Sequence, residues 1–467
     1  MPIVAGIDSS TQSCKVELRD ADSGEVVGFG SAAHPAVTPP TSEQDPDAWW
    51  HAFEAAYSAA CESGGVDPAN GVAALSVGGQ QHGMVALDAR GRPVHPAKLW
   101  NDMESAADAD WLIEQLGSAD AWAEAVSSVP VAAFTVTKLS WLHRVHPDAW
   151  SALASVHLPH DELTRRLTGR RTTDRGDASG TGYWSPATGD YRWDILELID
   201  AERNWRDVVP EVLGPLDVAG EWHSAVVAPG SGDNMAAALG VGLRPGDAVI
   251  SIGTSGTVYA VSETPTADPS GAVAGFADAT GRFLPLVCTS NAAKVLDAVR
   301  GLLGVDHRAF DRLALAADHG GPVMLPYFDG ERTPNRPDAT GEITGLRTDV
   351  SREQFARAAV DGVACGLLDG LDALQSLTPL DGRVLLVGGA ARSEAVQRVI
   401  AGMTGRTTLL AEVDEAVATG AAVQAAAVLE QTDHTVIQDR WGLGAGAPID
   451  GVDPGDVRTR YAAFRDR

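Results

Sequence analysis

The stretch IVAGIDSST, residues 3–11, decides the fold, because an apolar strand runs directly into a turn of small and polar residues. A similar stretch, AVISIGTSG at residues 248–256, lies about half a chain further on and leads into another strand. Small residues at such turns let backbone N–H groups approach and hold phosphate oxygens. Either turn alone is a weak signal, since small-residue turns between strands are common. The pair predicts two related halves whose loops grip one nucleotide from both sides of a cleft.

The length of 467 residues exceeds what a single hydrophobic core usually serves. We therefore predict two large domains, residues 1–243 and residues 244–467. Only the first of the two loops contains an aspartate, Asp8. We therefore expect two halves of similar fold that make different contributions to the reaction. Strands interleaved with amphipathic helices indicate an α/β layer architecture.

The formal net charge is −28, from 35 basic and 63 acidic residues. This balance argues against a nucleic-acid partner, because such binding depends on neutralising phosphates with Lys and Arg. An anionic small ligand remains compatible, since a local site can be positive or filled by a metal ion. The four cysteines are far apart and form no C-x-x-C pair, which fits a reducing cytoplasm. Without a signal peptide or a long apolar run, we expect a cytoplasmic protein that does not enter a membrane.

Hydrophobic periodicity and turn residues predict the main elements of both halves. In the first half, Asp45 predicts the N-cap of a helix that Gly64 ends. In the second half, Ser351 predicts the cap of a long helix over residues 352–377, and Ser393 predicts the cap of a later helix. The predicted strands are residues 3–7, 15–19, 25–30, 72–77, 248–252, 257–261 and 383–387.

A carboxylate at the mouth of the cleft is predicted from PGSGDN, residues 229–234, which precede an apolar run. Asp233 in this position can accept a proton from an alcohol as the alcohol attacks phosphorus. The alternative is that Asp233 serves only as a helix N-cap, and spacing alone favours this common role. The two roles are compatible.

Asp8 has two interpretations of equal weight. It lies between a buried strand and a Ser-Ser-Thr turn, where a carboxylate can help to hold Mg²⁺. Magnesium is usually bound by one or two carboxylates together with phosphate oxygens and waters. Alternatively, Asp8 is a turn aspartate that hydrogen-bonds its own loop.

A site for a polyhydroxylated ligand is predicted where two strands end. Gln-Gln-His at residues 80–82 follows a buried strand, and Trp-Asn-Asp at residues 100–102 follows a short one. Amide, imidazole, carboxylate and indole groups that converge at strand ends are what such a ligand needs. On its own, His82 would be interpreted as a satisfied core histidine. The histidine pairs at 143/146 and 157/160 have helical spacing but no evident third ligand, so no zinc site is predicted.

Taken together, these motifs resemble those of the FGGY family of sugar kinases, and the resemblance covers nearly the whole chain. It implies an actin-like fold, with two ribonuclease H-type domains that close over a cleft for ATP and a sugar. Phosphorylation of the sugar with Mg²⁺ as cofactor, and assembly as a homodimer, are further implications. The matching stretches are residues 6–15, 42–50, 81–83, 99–102, 134–141, 158–169, 232–234, 251–256, 330–334 and 388–390.

The resemblance also implies a role for each matching site residue. Asp233 matches the catalytic base, so that this role now outweighs capping alone. Asp8 matches the aspartate that supports Mg²⁺ and the phosphates, and it counts with Asp233 among the catalytic residues. The residues implied to bind the sugar are Gln81, His82, Trp100, Asn101, Asp102, Asp233 and Asn234. Those implied to bind the nucleotide are Ser10, Thr11, Lys15, Gly253, Thr254, Gly388, Gly389 and Ala390.

Within the family, residues 81–83 and 100–102 most resemble the members that act on D-xylulose, and this resemblance implies phosphorylation at the 5-hydroxyl to give D-xylulose 5-phosphate and ADP. The sequence departs from the family pattern at Ser9 and Ser10, at Glu104, where an arginine is common, and at His160, where a lysine is common. Because Glu104 is close to the implied sugar site, ribulose, glycerol or another polyol stay open as substrates.

Two alternatives come from other classes of protein. An actin-like ATPase that switches conformation would hydrolyse ATP without a sugar, and residues 81–82 and 100–102 argue against it. A catalytically silent sugar-binding regulator would not need a base, and the presence of Asp8 and Asp233 argues against it.

Overall fold

The computed structural model describes residues 2–318 and 320–467. Two β-sheets dominate the structure, one of seven strands in the first half and one of six strands in the second half. Helices pack on both sheets, and each sheet contributes to a separate hydrophobic core. The predicted α/β class with two domains is therefore confirmed.

The first half contains the longer run of alternating strands and helices. Its strands are β1 (Ile3–Ser9), β2 (Ser13–Asp20), β3 (Val26–Ala33), β4 (Glu43–Gln44), β5 (Val72–Gly79), β6 (Val85–Leu87), β7 (Ala97–Lys98), β8 (Ser155–His157), β9 (Thr172–Asp174), β10 (Trp184–Ser185), β11 (Asp190–Tyr191), β12 (Glu211–Leu213), β13 (Gly220–Trp222), β14 (Ala225–Val227) and β15 (Ser231–Gly232). Its helices are α1 (Pro46–Gly64), α2 (Ala106–Leu116), α3 (Ala119–Val126), α4 (Thr135–Val145), α5 (Pro147–Ala152), α6 (Pro159–Thr168), α7 (Arg175–Ser179), α8 (Trp193–Ile199) and α9 (Asp233–Gly240).

The second half has fewer strands and longer helices. Its strands are β16 (Ala248–Ile252), β17 (Gly256–Ala260), β18 (Ala274–Ala277), β19 (Phe283–Thr289), β20 (Val323–Leu325), β21 (Glu342–Thr344), β22 (Val384–Val387) and β23 (Thr408–Leu410). Its helices are α10 (Ala293–Leu303), α11 (His307–Ala316), α12 (Arg352–Leu377), α13 (Glu394–Thr404), α14 (Ala416–Glu430), α15 (His434–Arg440) and α16 (Val457–Arg465). In the described part of the chain, no helix is both long enough and apolar enough to cross a membrane.

Three parallel strands of the first sheet end at the same edge. β1 runs antiparallel to β2 and parallel to β5, and β15 also runs parallel to β5. Asp8 in β1 stands opposite Gly78, and Gly232 in β15 stands opposite Gly79. The residues that follow these three strands are therefore neighbours in space.

The second sheet repeats this arrangement. β16 runs antiparallel to β17 and parallel to β22, and Ser251 stands opposite Val387 at the ends of the two parallel strands. The loops after β16 and β22 consequently start from one edge. The sequence similarity between residues 3–11 and 248–256 thus corresponds to equivalent strands in two sheets.

The predicted helix ends agree closely with the structure. Asp45 caps α1, which ends at Gly64, and Gly65 then takes up the left-handed conformation with φ of 62°. Ser351 caps α12 and shares a reciprocal pair of hydrogen bonds with Gln354. Ser393 caps α13 as predicted. The predicted strands are all present, with ends that shift by at most three residues.

Helix α14 belongs to the second half of the sequence but packs on the first sheet. A Cβ atom at Gly6 in β1 would lie 1.8 Å from the carbonyl oxygen of Ala418. A Cβ atom at Gly420 would lie 1.7 Å from the carbonyl oxygen of Ala236 in α9. Both positions require glycine because the backbones themselves are in contact. α14 therefore joins the halves with no layer of side chains at these points.

Candidate active site

The loops after β1, β5 and β15 bring three predicted site residues together. Asp8 is the next-to-last residue of β1, Gln81 lies two residues beyond β5, and Asp233 directly follows β15. Gly232 permits this approach, since a Cβ atom there would lie 2.6 Å from Cγ of Gln81. Two predicted catalytic carboxylates and a predicted sugar contact therefore share one edge of the first sheet.

Asp233 is the first residue of α9, and Gly232 occupies the N-cap position before it. Its carboxylate accepts a hydrogen bond of 3.0 Å from the side-chain amide of Asn234, which also donates to Oε1 of Gln81 at 2.7 Å. Burial, followed by the negative charge of Asp8, raises the pKa of Asp233 to about 7. A carboxylate with a pKa near neutrality is well suited to take a proton from an alcohol. This environment favours the base interpretation of Asp233 over the cap interpretation.

Asp8 is buried and accepts a short hydrogen bond from the hydroxyl group of Ser10. Burial raises the pKa of Asp8 to about 6, although the Ser10 hydrogen bond and the charge of Lys15 act to lower it. A divalent cation at this edge would offset the charges of both Asp8 and Asp233, and Asp8 offers the carboxylate oxygen that Mg²⁺ prefers. The residues present therefore fit a magnesium site, while the Ser10 hydrogen bond is also what a turn aspartate would make.

The neutral form of His82 is fixed by its surroundings. The residue adopts a φ of 64°, and its ring packs against both Phe134 and Phe276, with centroid distances of 5.0 and 5.3 Å. Nδ1 donates to the carbonyl oxygen of Gly180 at 2.9 Å, because a carbonyl can only accept. Burial, followed by the charges of two cationic side chains, lowers the pKa of His82 to about 3. The ring is therefore uncharged, and Nε2 is left as a hydrogen-bond acceptor.

Of the predicted Trp-Asn-Asp segment, only Trp100 reaches the cavity. Its indole N–H donates to Oγ1 of Thr11 at 3.0 Å, which connects the segment to the first phosphate loop. Asp102 is fully buried and accepts a hydrogen bond of 3.2 Å from Nζ of Lys98. Neither Asn101 nor Asp102 lines the cavity. The structure therefore does not bring these two side chains to the predicted sugar site. Asp102 instead stabilises the segment through its contact with Lys98.

Lys98 explains why an acidic residue stands at position 104. Its ammonium group is 2.8 Å from Glu43 and 3.2 Å from Asp102, and it makes a shorter contact with Glu104. It also lies 4.0 Å from the ring centre of Trp141. The three carboxylates bring oxygen atoms within 4.8 Å of one another, as metal ligands do. Because Lys98 already supplies the positive charge, this cluster does not need a metal ion.

The loops predicted to hold the nucleotide lie at the edge of the second sheet. Gly253 and Thr254 follow β16, and Gly388 follows β22. Gly388 has a φ of 93°, and a Cβ atom there would lie 2.8 Å from the carbonyl oxygen of Ile252. This glycine therefore allows the two loops to touch. Thr254, Gly388 and Gly389 are exposed, so that a ligand can reach them.

Two other residues predicted to bind the nucleotide make structural contacts. Nζ of Lys15 lies 2.5 Å from Oε2 of Glu415, the residue before α14, and the ion pair links the two halves. Ala390 is half-buried in the short turn of residues 389–392 and packs against the core of the second half. Neither side chain lines the cavity described next.

A cavity of about 300 Å³ unites the residues of both halves. Thr11 from the first phosphate loop and Ser255 from the second line the same space, as expected of two loops that face each other. Asp233 supplies a carboxylate to its wall. The other polar side chains on the wall are Gln81, His82, Trp100, Asn234, Thr257, Arg332 and Thr333.

An ionic cluster buried behind the site was not predicted. Nε2 of His160 lies 3.2 Å from Asp161 and 3.3 Å from both Asp174 and Asp177. Burial acts to lower the pKa of His160, but the carboxylates more than reverse this effect and raise it to about 9. A Cβ atom at Gly230 would lie 2.6 Å from the imidazole ring, so the cluster supports the segment that carries the Asp233 loop. The only signal in the sequence was that His160 replaces another basic residue, lysine.

Comparison with known proteins covers both halves of the chain. Residues 3–240 match the N-terminal domain of the FGGY family of carbohydrate kinases, and residues 248–429 match the C-terminal domain of that family. The chain is 47% identical over 463 residues to a xylulose kinase of Streptomyces coelicolor, covering 97% of this chain and 93% of the relative. It is 45% identical over 462 residues to a xylulose kinase of Streptomyces rubiginosus, with the same coverage. The crystal structure of xylulose kinase from Bifidobacterium adolescentis matches with a TM-score of 0.87 and 40% identity over 99% of both chains.

Proposed function

Because the chain belongs to the FGGY family of carbohydrate kinases, we propose that it transfers the γ-phosphoryl group of ATP to the 5-hydroxyl of D-xylulose. The products are D-xylulose 5-phosphate and ADP. Xylulose kinases that match nearly the whole chain support D-xylulose as the sugar. The observation that carries the proposal is the placement of Asp233, with its pKa near 7, on a cavity lined by phosphate loops from both halves.

In this proposal Asp233 takes the proton of the attacking hydroxyl group. Its raised pKa means that the carboxylate is ionised in part at neutral pH and still has appreciable affinity for the proton. Asn234 fixes the carboxylate and Gln81 relative to each other. Nε2 of His82 accepts a hydrogen bond from a sugar hydroxyl, and Trp100 covers the sugar from the side of Thr11.

The phosphates of ATP are held between the loops at the edges of the first and second sheets. The hydroxyl groups of Ser10, Thr11 and Thr254 orient them, and the loops with Gly253 and with Gly388, Gly389 and Ala390 form the adenosine side of the site. Asp8 would support Mg²⁺, which when bound supplies positive charge against the phosphates. Closure of the halves excludes water, which otherwise competes with the sugar for the γ-phosphoryl group.

Three properties of the molecule as a whole belong to the same proposal. The chain divides near residue 243, and this is supported by family matches that end at residue 240 and resume at residue 248. The protein acts in the cytoplasm, where ATP and a sugar substrate are both available. It forms a homodimer, which light scattering of the purified protein would test.

The test of the proposed function is an ADP-release assay with Mg-ATP and a panel of D-xylulose, D-ribulose, L-ribulose, L-xylulose and glycerol. We expect a strong and selective response to D-xylulose, because polar sites penalise ligands that leave their groups unpaired. A preference for another sugar would keep the kinase reaction and overturn the substrate. ATP turnover that is independent of any sugar would overturn the kinase proposal and favour an actin-like ATPase that uses ATP to switch conformation.

A further inference from the structure

The cavity wall carries one basic side chain besides the histidine. Within the described residues that line it, Arg332 supplies the only guanidinium or ammonium group. Arg332 comes from the second half of the chain, whereas Gln81, His82 and Asp233 come from the first half. The second half therefore contributes a cation to a cavity whose predicted sugar contacts come from the first half.

The guanidinium group of Arg332 has no partner among the residues that the structure describes. Across residues 2–318 and 320–467, it takes part in no hydrogen bond or ion pair, and only its backbone amide is engaged. Arg336, four residues later, is different, since its Nη2 donates to the carbonyl oxygen of Arg465 at 2.8 Å. A guanidinium offers five donors in a planar fork, so Arg332 retains its full capacity to bind a ligand.

The loop that carries Arg332 is firmly anchored. Glu331 is buried, and its carboxylate accepts hydrogen bonds from the amides of Ser290 at 2.5 Å and Arg332 at 2.8 Å, and from the Asn291 side chain at 2.9 Å. The backbones of Glu331 and Arg336 also pair with each other. The position of Arg332 on the cavity is thus set by its neighbours, while its side chain is free.

Arg332 lines the same cavity as His82 and Trp100, two of the predicted sugar contacts. Burial, then Lys138, then Arg332 lower the pKa of His82, which means that the guanidinium charge is felt at the histidine. The pKa of Asp233 is instead shifted by burial and by Asp8. The cavity wall that Arg332 and His82 share, together with the effect of the guanidinium charge on the histidine, supports a role for Arg332 next to His82.

We propose that Arg332 is the residue by which the second half recognises the sugar, donating to oxygens at the end remote from the hydroxyl that faces Asp233. This inference rests on the proposed function. In a ketose phosphorylated at its 5-hydroxyl, that remote end carries a carbonyl and a hydroxyl on adjacent carbons. A planar guanidinium can donate to two neighbouring oxygens at once. The bound sugar then bridges the halves, with Arg332 on one side and Gln81, His82 and Asp233 on the other.

The test compares Arg332→Gln and Arg332→Lys with the wild type and with Arg347→Gln. Arg347 is a matched control, because it is an exposed arginine of the same half whose guanidinium makes no bond to any described residue. For Arg332→Gln we expect the KM for D-xylulose to rise about ten- to a hundredfold, as for loss of a charged hydrogen bond. The KM for ATP and the midpoint of thermal unfolding should stay at wild-type values. Arg332→Lys should recover only part of the loss, because an ammonium group cannot reproduce the fork.

Calorimetric titration with D-xylulose provides a readout that is independent of turnover, and the Kd should rise by the same factor as the KM. An unchanged KM and Kd in Arg332→Gln would overturn the proposal. So would a fall in kcat with a raised KM for ATP, because the guanidinium would then act on the phosphates. An equal effect of Arg347→Gln would show a general charge effect and would also overturn it. If the wild type ignores D-xylulose, the proposed function fails instead, and the comparison is made with the panel sugar that it does phosphorylate.

Discussion

Nδ2 of Asn234 lies 2.7 Å from Oε1 of Gln81, although 153 positions separate the two residues in sequence. The same nitrogen lies 3.0 Å from the carboxylate of Asp233. One amide group therefore sets the distance between the proposed base and a proposed sugar contact. Geometry of this kind matters because much of the rate of phosphoryl transfer comes from positioning.

Replacement of Asn234 by alanine should disturb both partners of its amide. We expect kcat/KM for D-xylulose to fall about ten- to a hundredfold. The pH at which activity is half-maximal should rise, because Asp233 loses a donor that favours its ionised form. Steady-state kinetics across pH measure both effects. Asn70→Ala, at an exposed asparagine of the same half, is the control, and wild-type kinetics in Asn234→Ala would contradict the role.

Asp233→Asn should fold normally and lose about a thousandfold or more in kcat, since asparagine cannot take up the proton. In the wild type, kcat/KM should rise with pH and level off above about 7, where Asp233 is ionised. Asp110→Asn changes an exposed aspartate and should leave the profile unchanged. Near-normal turnover in Asp233→Asn would remove the base assignment.

The same variant should also be more stable than the wild type at alkaline pH. The pKa of Asp233 is raised on folding, so its ionisation costs folding free energy as the pH rises from its ordinary value of 3.8 through about 7. Asparagine avoids that cost, and we expect a gain on the order of 4 kcal/mol at pH values above 7, because each pKa unit corresponds to about 1.4 kcal/mol. Urea denaturation at acid and alkaline pH would detect it. A gain in stability that is the same at acid and alkaline pH would show that the substitution acts through packing and not through charge.

Asp8→Asn should weaken the use of Mg²⁺ more than the binding of sugar. We expect the Mg²⁺ concentration for half-maximal rate to rise about tenfold, because one carboxylate near the metal is lost. The KM for D-xylulose should change little. Titration of activity with MgCl₂ measures the shift, with Asp22→Asn at an exposed position as the control. A lower rate with unchanged Mg²⁺ dependence would instead favour the turn-aspartate interpretation.

His160 should make the stability of the protein depend on pH. Its folded pKa is raised from 6.5 to about 9, so its contribution is complete below pH 6.5 and is lost as the pH rises through 9. The raised pKa values of Asp161 and Asp177 act in the same direction. His160→Gln should therefore destabilise the protein by about 3–5 kcal/mol below neutral pH, as when a buried ion pair is broken.

Urea denaturation of His160→Gln and wild type at pH 6.5 and at pH 9 tests this prediction. The difference between the two proteins should shrink at the higher pH. His51→Gln, at an exposed histidine, should behave like the wild type at both. A difference that does not vary with pH would show that the imidazole acts through its shape and not through its charge.

Local signals were sufficient to predict much of the fold. The bounds of α12 follow from a capping serine and from the long apolar stripe that begins a few residues after it. β16 was predicted to the residue because Ala248–Ile252 is a short apolar run bounded by a polar segment and a glycine. Strand ends such as that of β3 were less accurate, since pairing with a neighbour sets where a strand stops.

The site was predictable for residues that lie at the end of a strand or just beyond it. Asp8, Gln81 and Asp233 fall into this class, and parallel pairing brings their strands together. Arg332 gave no such signal, because it lies in an irregular loop whose position depends on the buried carboxylate of Glu331. Asp102 was expected to face the sugar, but its bond to Lys98 turns the carboxylate inward. Contacts of this kind depend on side chains that the local pattern does not specify.

The backbone contact between α14 and β1 also has a consequence for synthesis on the ribosome. The two segments come from near opposite ends of the chain. The ion pair beside them, between Lys15 of β2 and Glu415 just before α14, joins residues that are 400 positions apart. At bacterial or eukaryotic elongation speeds, that interval corresponds to roughly 20–80 seconds. During this time the surface of the first sheet that α14 covers, including Val4 and Ala74, has no native partner. The nascent first half thus emerges with an apolar face that chaperones can bind until the last tenth of the chain arrives.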